Sequence, residues 1–227
     1  MYAVERLMDI GMQSDKQMNT AKIAIVDYGA SNLRSVAKAV EKFGYLPIVT
    51  RDSVEILQAK AVIFPGQGAS APAMNNLDTS GLVDTVKEVI YRGTPFFGIC
   101  LGLQLLLESS QEGPNDCLGL VHGKVKMLPE DVKRPHMGWN QVKLRNKHPV
   151  FSGVDNESYF YFVHSYYADP EDDDLILGTT NYGVEFCSVI AKGSLIATQF
   201  HPEKSGRTGL KLYENFLALA TGTMGNY

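Results

Sequence analysis

The sequence predicts an α/β fold: a mostly parallel sheet flanked by helices, followed by a mixed or antiparallel extension. Up to about residue 100, short apolar runs alternate with segments whose apolar residues recur at helical spacing. This alternation is typical of a parallel sheet with helices on both faces. From Gly119 onward the apolar runs become short and alternating, with frequent turn residues, which indicates antiparallel or mixed pairing.

The elements follow in order from these runs. In a parallel sheet the chemistry lies beyond the carboxyl ends of the strands, where the loop 65–68 and Cys100 fall. The predicted strands of the first part cover residues 22–27, 46–49, 61–64 and 95–98. The predicted helices cover 33–43 with a stop at Gly44, a short segment from Asp52 or Ser53, 82–90 and 208–219.

The chain is expected to form one domain, because its 227 residues suit a single domain of generous size and no long linker interrupts it. Residues 1–20 are polar and rich in methionine, and we expect them to be a weakly ordered N-terminal extension. The folded domain is assigned to residues 21–227.

Composition excludes several classes of function. A net charge of -4 argues against a protein that binds nucleic acid or a membrane surface. No apolar run is long enough for a transmembrane helix, and residues 1–20 lack the pattern of a secretory signal. The three cysteines, at positions 100, 117 and 187, form neither a disulfide framework nor a zinc pattern. We therefore expect a cytoplasmic protein.

The segment around Cys100 has the layout of a nucleophile elbow, a sharp turn between a strand and a helix. Gly98 and Gly102 flank the cysteine two residues away on either side, where a side chain would clash in so tight a turn. A thiol at this place faces the N-terminus of a helix, which favours the thiolate. Cys100 is therefore the candidate nucleophile.

A cysteine nucleophile needs a base and a group that orients that base. His201 is the best candidate base, because it ends an apolar strand and Pro202 stiffens the turn after it. Glu203 lies two residues further on and can accept a hydrogen bond from the imidazole. We predict that Cys100, His201 and Glu203 form a catalytic triad.

The oxyanion of the tetrahedral intermediate needs N–H donors. The glycines of the loop Gly66, Gln67 and Gly68 allow its backbone to approach a ligand closely. The N–H group of Leu101, directly after the nucleophile, is the second expected donor.

The pattern of Gly98, Cys100, Gly102 and Gln104 together with the segment 201–203 resembles the class I glutamine amidotransferases. The resemblance implies a glutaminase that hydrolyses the side-chain amide of glutamine through a cysteinyl thioester and passes the ammonia to a synthase. It also implies that the glutaminase needs no metal and no cofactor.

Four further segments, 26–29, 32–36, 135–140 and 161–166, resemble the HisH family, the glutaminase subunits of imidazole glycerol phosphate synthase. The resemblance covers about residues 22–219. It implies a heterodimer with HisF, a (β/α)₈ cyclase subunit that uses the ammonia to make imidazole glycerol phosphate and AICAR in histidine biosynthesis.

The same resemblance implies roles for ten further residues. Those that match glutamine-binding positions are Gln104, Glu112, His164, Ser165 and Tyr166. Those that match positions at the partner interface are Asn32, His136, Met137, Trp139 and Lys204.

The sequence departs from the family pattern at three places. Gln67 stands where a small aliphatic residue is expected, Ser70 where phenylalanine is expected, and Gly206 where glutamine is expected. These departures leave room for a related glutaminase that feeds another synthase, for example in sugar modification. Two other functions stay open, a cysteine hydrolase or peptidase and a protein that only binds a partner. The intact triad speaks against the second.

The glycines of the loop 66–68 suggest that the oxyanion donors are mobile. We therefore predict low glutaminase activity for the isolated chain.

Overall fold

A computed structural model describes residues 19–113 and 115–223 of the chain. Thirteen strands lie within these ranges: β1 Asn19–Val26, β2 Tyr45–Thr50, β3 Ala61–Gly66, β4 Phe96–Cys100, β5 Ser109–Ser110, β6 Asn115–Asp116, β7 Gly123–Met127, β8 His136–Leu144, β9 Ser158–His164, β10 Tyr166–Pro170, β11 Ile176–Asn181, β12 Glu185–Lys192 and β13 Leu195–Thr198. The α-helices are α1 Leu33–Lys42, α2 Ser53–Gln58, α3 Ser70–Thr79, α4 Leu82–Tyr91, α5 Leu101–Gln104 and α6 Gly206–Thr221.

The strands form one mixed sheet. Its main path runs β2-β1-β3-β4-β13-β12-β10-β7-β5-β6, and β11, β8 and β9 branch from β12. Along this path, the first five strands, β2-β1-β3-β4-β13, run parallel to one another. β12 and β10 pair with their neighbours in antiparallel fashion, and so do β8 and β9 with each other. The predicted mostly parallel sheet with a mixed extension is therefore confirmed.

Helices cover both faces of the parallel part of the sheet. Successive side chains of a strand point to opposite faces, so neighbouring residues of β1 pack against different helices. Ile23 and Ile25 pack with α1 and α6 on one face, and Ala24 and Val26 pack with α2, α3 and α4 on the other. Fully buried β-branched and aromatic residues on both faces explain why these strands read as continuous apolar runs in the sequence.

The main differences from the sequence-based prediction lie at element boundaries. β1 begins at Asn19 rather than at residue 22, and β4 runs to Cys100 itself. The sequence pattern predicts no helix over Ser70–Thr79, yet α3 is there. Its asparagines and Pro72 give a weak helical pattern, and Leu77 and Ala73 supply most of its buried face. Most of the predicted N-terminal extension, residues 1–18, lies outside the described residues.

None of the helices in the described part of the chain has the length and apolarity needed to span a bilayer.

Candidate active site

Cys100 lies at a strained turn between β4 and α5. Its backbone has φ 55° and ψ -108°, a region that residues other than glycine rarely adopt. A Cβ atom at Gly102 would overlap the carbonyl oxygen of Phe64, and one at Gly98 would lie 3.2 Å from the Gly102 oxygen. The two glycines therefore let the elbow pack against β3, and the turn presents the sulfur at the carboxyl end of the sheet.

The sulfur opens onto a cleft of about 410 Å³. A larger cleft, of about 670 Å³, lies at residues 144–156 but contains no cysteine. The cleft beside Cys100 brings together the predicted nucleophile, oxyanion loop and glutamine-binding residues. It is lined by Gln67, Gly68, Cys100, Leu101, Gln104, Glu112, Pro135, Tyr161, Val163, His164, Ser165, Tyr166 and Lys204.

The backbone of His201 is fixed to the neighbouring strand β9. Its N–H group donates to the carbonyl oxygen of Tyr161 at 2.9 Å, and its own carbonyl oxygen accepts from the Ser205 hydroxyl at 2.6 Å. Ser205 Oγ also accepts from the Tyr161 N–H group at 2.9 Å. The imidazole is thus placed by a strand end and a closed ring of hydrogen bonds.

The imidazole of His201 and the carboxylate of Glu203 form a buried pair. Nδ1 of His201 lies 2.9 Å from Oε1 of Glu203, and the two side chains are 2% and 1% exposed. Oε1 also accepts a hydrogen bond from Asn32 Nδ2 at 2.7 Å. Oε2 is buried and has no hydrogen-bond partner among the described residues. The carboxylate is held on the side that faces the imidazole.

Electrostatics make His201 a charged group. Burial lowers its pKa, but the nearby Cys100 sulfur and the Glu203 carboxylate raise it to about 10. Nε2 of the ring is buried, and in the resting geometry it makes no hydrogen bond of regular length and angle. Such contacts often tighten only when substrate is bound. The arrangement favours a protonated imidazole beside the Cys100 sulfur.

The loop predicted to hold the oxyanion lies directly beside the elbow. Gly66 pairs with Cys100 in the β3–β4 register, and a Cβ atom at Gly66 would meet Leu101 Cβ at 2.8 Å. Oε1 of Gln67 accepts a hydrogen bond from the Ser31 hydroxyl at 2.8 Å. The polar residue at this departure from the family pattern is therefore tied to the loop that precedes α1.

Glu112 reaches the same loop from the other side. Its Oε2 atom accepts a hydrogen bond from the backbone N–H group of Ser70 at 2.6 Å. Ser70 is the first residue of α3, and the residue before it, Ala69, supplies no side-chain cap. Glu112 thus serves as the cap of α3, and its carboxylate also lines the cleft.

Gln104 is oriented by two acceptors. Its Nε2 atom donates to the carbonyl oxygen of Tyr166 at 2.7 Å and to Oε1 of Gln199 at 3.1 Å. Both amide hydrogens are then used, so the carbonyl oxygen is the group that Gln104 can offer to a ligand. Ser165 lies half-buried beside it on the cleft wall.

The predicted interface residues do not all lie on the surface. Met137 is 63% exposed, Trp139 is 55% exposed and Lys204 is exposed as well. His136 is 4% exposed, and its place at a partner interface stays a prediction. Its ring stacks between Phe162 and Tyr182, because the alternation of β8 turns it inward. Asn32 is half-buried, and its amide binds Glu203.

His136 and His164 form a buried pair below the cleft. Nδ1 of His136 lies 3.0 Å from Nε2 of His164, and Nδ1 of His164 lies 2.8 Å from the Tyr166 carbonyl oxygen. Burial lowers the pKa of His136 to about 4 and that of His164 to about 3. Both rings are therefore neutral at neutral pH.

The two other cysteines lie outside the site. Burial raises the pKa of Cys117 to about 11 and that of Cys187 to about 12, so neither is a ready nucleophile. Within residues 19–113 and 115–223, no group of three or more histidine, cysteine, aspartate or glutamate residues is arranged to hold a metal ion.

Sequence reasoning missed one polar residue at the sulfur. Gln199 is fully buried, and its Nε2 atom lies 3.6 Å from Cys100 Sγ. A glutamine at the end of an apolar strand, two residues before the predicted base His201, is a signal that could have identified it.

A family model for class I glutamine amidotransferases matches residues 24–220. The chain is 53% identical over 201 residues to imidazole glycerol phosphate synthase subunit HisH of Dehalococcoides mccartyi, covering 88% of this chain and 98% of the relative. It is 49% identical to the protein of the same name from Methanocaldococcus jannaschii, covering 87% and 99%.

Solved structures with the same fold have much lower identity. A putative GMP synthase component from Thermoplasma acidophilum superposes with a TM-score of 0.67 at 19% identity, covering 90% of this chain and 96% of that chain. PurLQS from Thermotoga maritima gives a TM-score of 0.67 at 17% identity, covering 88% and 99%. These likenesses concern the fold alone.

Proposed function

The chain belongs to the class I glutamine amidotransferases and, within them, to the HisH family of imidazole glycerol phosphate synthase subunits, and from that premise we propose that it hydrolyses L-glutamine at Cys100. The ammonia passes to a (β/α)₈ cyclase subunit of the HisF type, which makes imidazole glycerol phosphate and AICAR. The names of the relatives favour this acceptor over a sugar-modifying synthase. The observation that carries the proposed chemistry is the elbow thiol in a cleft beside a buried His201–Glu203 pair.

The reaction starts with attack of the Cys100 thiolate on the carboxamide carbon of glutamine. Backbone N–H groups of Leu101 and of the loop around Gln67 stabilise the oxyanion, as their position on the cleft wall allows. His201, charged by the sulfur and Glu203, donates its proton to the departing ammonia. A thioester between Cys100 and the glutamyl group remains.

Water then hydrolyses the thioester. His201, now neutral, takes a proton from the water, and the thiolate leaves as glutamate forms. Glu203 holds the ring in the required tautomer and stabilises the imidazolium, at 2.9 Å from Nδ1. Asn32 keeps the carboxylate in place.

Glutamine recognition is assigned to the far wall of the cleft. The carbonyl oxygen of Gln104 and the carboxylate of Glu112 are acceptors that suit the substrate's ammonium group. Backbone and hydroxyl groups of residues 164–166 complete the pocket.

The partner surface is assigned to the exposed face of β8 and β9. Met137 and Trp139 project large apolar side chains to solvent, and Trp139 contacts Tyr161, which lines the cleft. Lys204 joins this face to the cleft rim. A cyclase that docks here would cover the cleft and receive ammonia without losing it to solvent.

Glutamate release from glutamine tests the proposal. We expect slow release by the chain alone and strong stimulation by the cyclase subunit with its acceptor ligand. Cys100→Ala should abolish release but retain complex formation, whereas Cys117→Ser, a cysteine outside the cleft, should leave release unchanged. Retained activity in Cys100→Ala would refute the nucleophile, and activity that ignores the cyclase would point to another acceptor.

Binding of the cyclase subunit tests the surface separately. Trp139→Ala should weaken the complex measured by calorimetry, because exposed aromatic residues supply much of the energy of interfaces. Tyr91→Ala is the matched control, since Tyr91 is 73% exposed at the end of α4. Equal effects of the two substitutions would contradict the assignment.

A further inference from the structure

Gln199 is a long polar side chain with no exposure to solvent, at the end of β13. Burying such a side chain costs rotamer freedom and desolvation unless both ends of its amide are hydrogen-bonded. Both ends are satisfied: Nε2 lies 3.6 Å from Cys100 Sγ, and Oε1 accepts from Gln104 at 3.1 Å. Its backbone N–H group donates to the Ser188 carbonyl oxygen at 2.9 Å.

The orientation of this amide follows from a backbone group. The carbonyl oxygen of Tyr166 can only accept a hydrogen bond, so the Gln104 atom 2.7 Å from it must be the NH₂ group. That same NH₂ group faces Gln199, which must therefore present its oxygen to Gln104. The NH₂ group of Gln199 then points at the sulfur.

The same carbonyl oxygen anchors the buried histidine pair. It accepts from His164 Nδ1, so Nε2 of His164 is an acceptor and Nδ1 of His136 is the donor. Nε2 of His136 lies 3.4 Å from Asn140 Nδ2. Each group in this hydrogen-bond network can therefore act only as a donor or only as an acceptor. The fold, rather than the substrate, fixes the direction of the Gln199 amide.

We propose that Gln199 is a positioning residue for the nucleophile, with its side-chain amide donating a hydrogen bond to Cys100 Sγ and holding the sulfur toward the cleft. The inference rests on the proposed glutaminase chemistry and adds to it an N–H donor at the sulfur, besides His201 and the Val163 carbonyl oxygen, which lies 4.0 Å from Sγ. An N–H donor aimed at sulfur favours the charged form and restricts rotation about the Cα–Cβ bond.

The structure separates this role from substrate binding. Gln199 does not line the cleft, whereas Gln104 does. Removing the Gln199 donor should therefore act mainly on kcat, and on KM only through Gln104, which loses its Gln199 acceptor but is still held by the Tyr166 carbonyl oxygen. A residue that only fills the core would alter stability without changing how the reactivity of the thiol depends on pH.

The experiment uses the full chain with Cys117→Ser, because Cys117 is the half-exposed cysteine. Gln199→Met keeps the length of the side chain and removes the donor, and Gln199→Asn keeps an amide but withdraws it by one methylene. Ser188→Ala is the control, since it removes a buried hydroxyl without a partner in the described residues on the neighbouring strand β12. Iodoacetamide alkylation of Cys100 is followed against pH by peptide mass spectrometry, beside steady-state glutamate release.

For Gln199→Met we expect alkylation near neutral pH to slow about tenfold, with its pH midpoint displaced upward, and kcat to fall about ten- to a hundredfold. KM should change much less than kcat, because Tyr166 still holds Gln104 after its Gln199 acceptor is lost, and Ser188→Ala should match the parent. If Gln199→Met does not fold by circular dichroism, Gln199→Asn must show the same changes. A folded Gln199 variant whose alkylation depends on pH as in the parent overturns the inference, whether or not that variant hydrolyses glutamine. A parent chain without glutaminase activity refutes the proposed function instead, and the alkylation profiles still decide the role of Gln199.

Discussion

Two groups of buried histidines lie within this site, and they differ in charge. His201 is 2% exposed, and His136 and His164 are 4% and 6% exposed, so desolvation acts on all three. His201 has the Cys100 sulfur on one side and Glu203 on the other, and its pKa rises to about 10. The polar partners of the pair, the Tyr166 carbonyl oxygen and the Asn140 amide, are uncharged, and burial lowers its pKa values. Anionic partners rather than burial decide which histidine can transfer a proton.

Because of this contrast, the contributions of the two regions to folding stability depend on pH in opposite directions. Because the folded pKa of His201 lies above the ordinary value of 6.5, its stabilising contribution is complete below pH 6.5 and is lost as the pH rises through about 10. For the histidine pair the contribution is complete above pH 6.5 and is lost as the pH falls toward about 4.

The largest effect should come from removing the charged histidine. His201→Ala deletes both the base and the acid of the proposed mechanism, and we expect glutamate release to fall by at least about a thousandfold. His122→Ala is the matched control, because His122 is exposed and pairs with Glu108 away from the cleft. Comparable losses in the two variants would show that the effect is not specific to the site.

Removing only the carboxylate charge should make His201 resemble the neutral pair. Glu203→Gln keeps a polar group near Nδ1 but no longer stabilises the imidazolium. We expect kcat to fall about a hundredfold, less than for His201→Ala. An exposed control, Glu214→Gln, should have no effect on release. Full activity in Glu203→Gln would contradict the role of the carboxylate.

A smaller effect should come from the amide that holds the carboxylate. Asn32 has φ 71°, so Asn32→Gly removes its hydrogen bond to Glu203 while the backbone conformation stays accessible. We expect kcat to fall about tenfold, as for the loss of one hydrogen bond to a charged group. If Asn32→Gly is as active as the parent without the cyclase but binds the cyclase less tightly, Asn32 acts only at the interface.

The smallest effect at neutral pH should come from the neutral pair. His136→Asn keeps a donor near the position of Nδ1 but does not titrate. In urea unfolding between pH 6.5 and pH 4.5, the free energy of unfolding should fall less steeply than in the parent chain, by about 1.4 kcal/mol per pH unit. Identical slopes would mean that folding does not change the pKa of His136.

The sequence predicts those parts of the molecule that depend on local order. The elbow around Cys100 and the parallel strands follow from glycine spacing and apolar runs, which act over a few residues. The placement of His201 beside Glu203 follows from a separation of two residues at a strand end.

The remaining contacts join distant segments, so no local pattern shows which residues meet. Asn32 meets Glu203 across 171 positions, and Gln199 meets Cys100 across 99. The family resemblance groups His136 with the exposed residues Met137 and Trp139. Pleat alternation in β8 and stacking on Phe162 turn it inward, and stacking across strands cannot be read from one strand alone.

The decisive measurement is the titration of His201 by nuclear magnetic resonance, in the parent chain and in Cys100→Ala. We predict that the parent imidazole stays protonated well above pH 6.5, with a pKa of about 10, and that loss of the sulfur lowers this pKa. A parent His201 that titrates near 6.5, with no response to Cys100→Ala, would contradict the charged Cys100–His201–Glu203 centre.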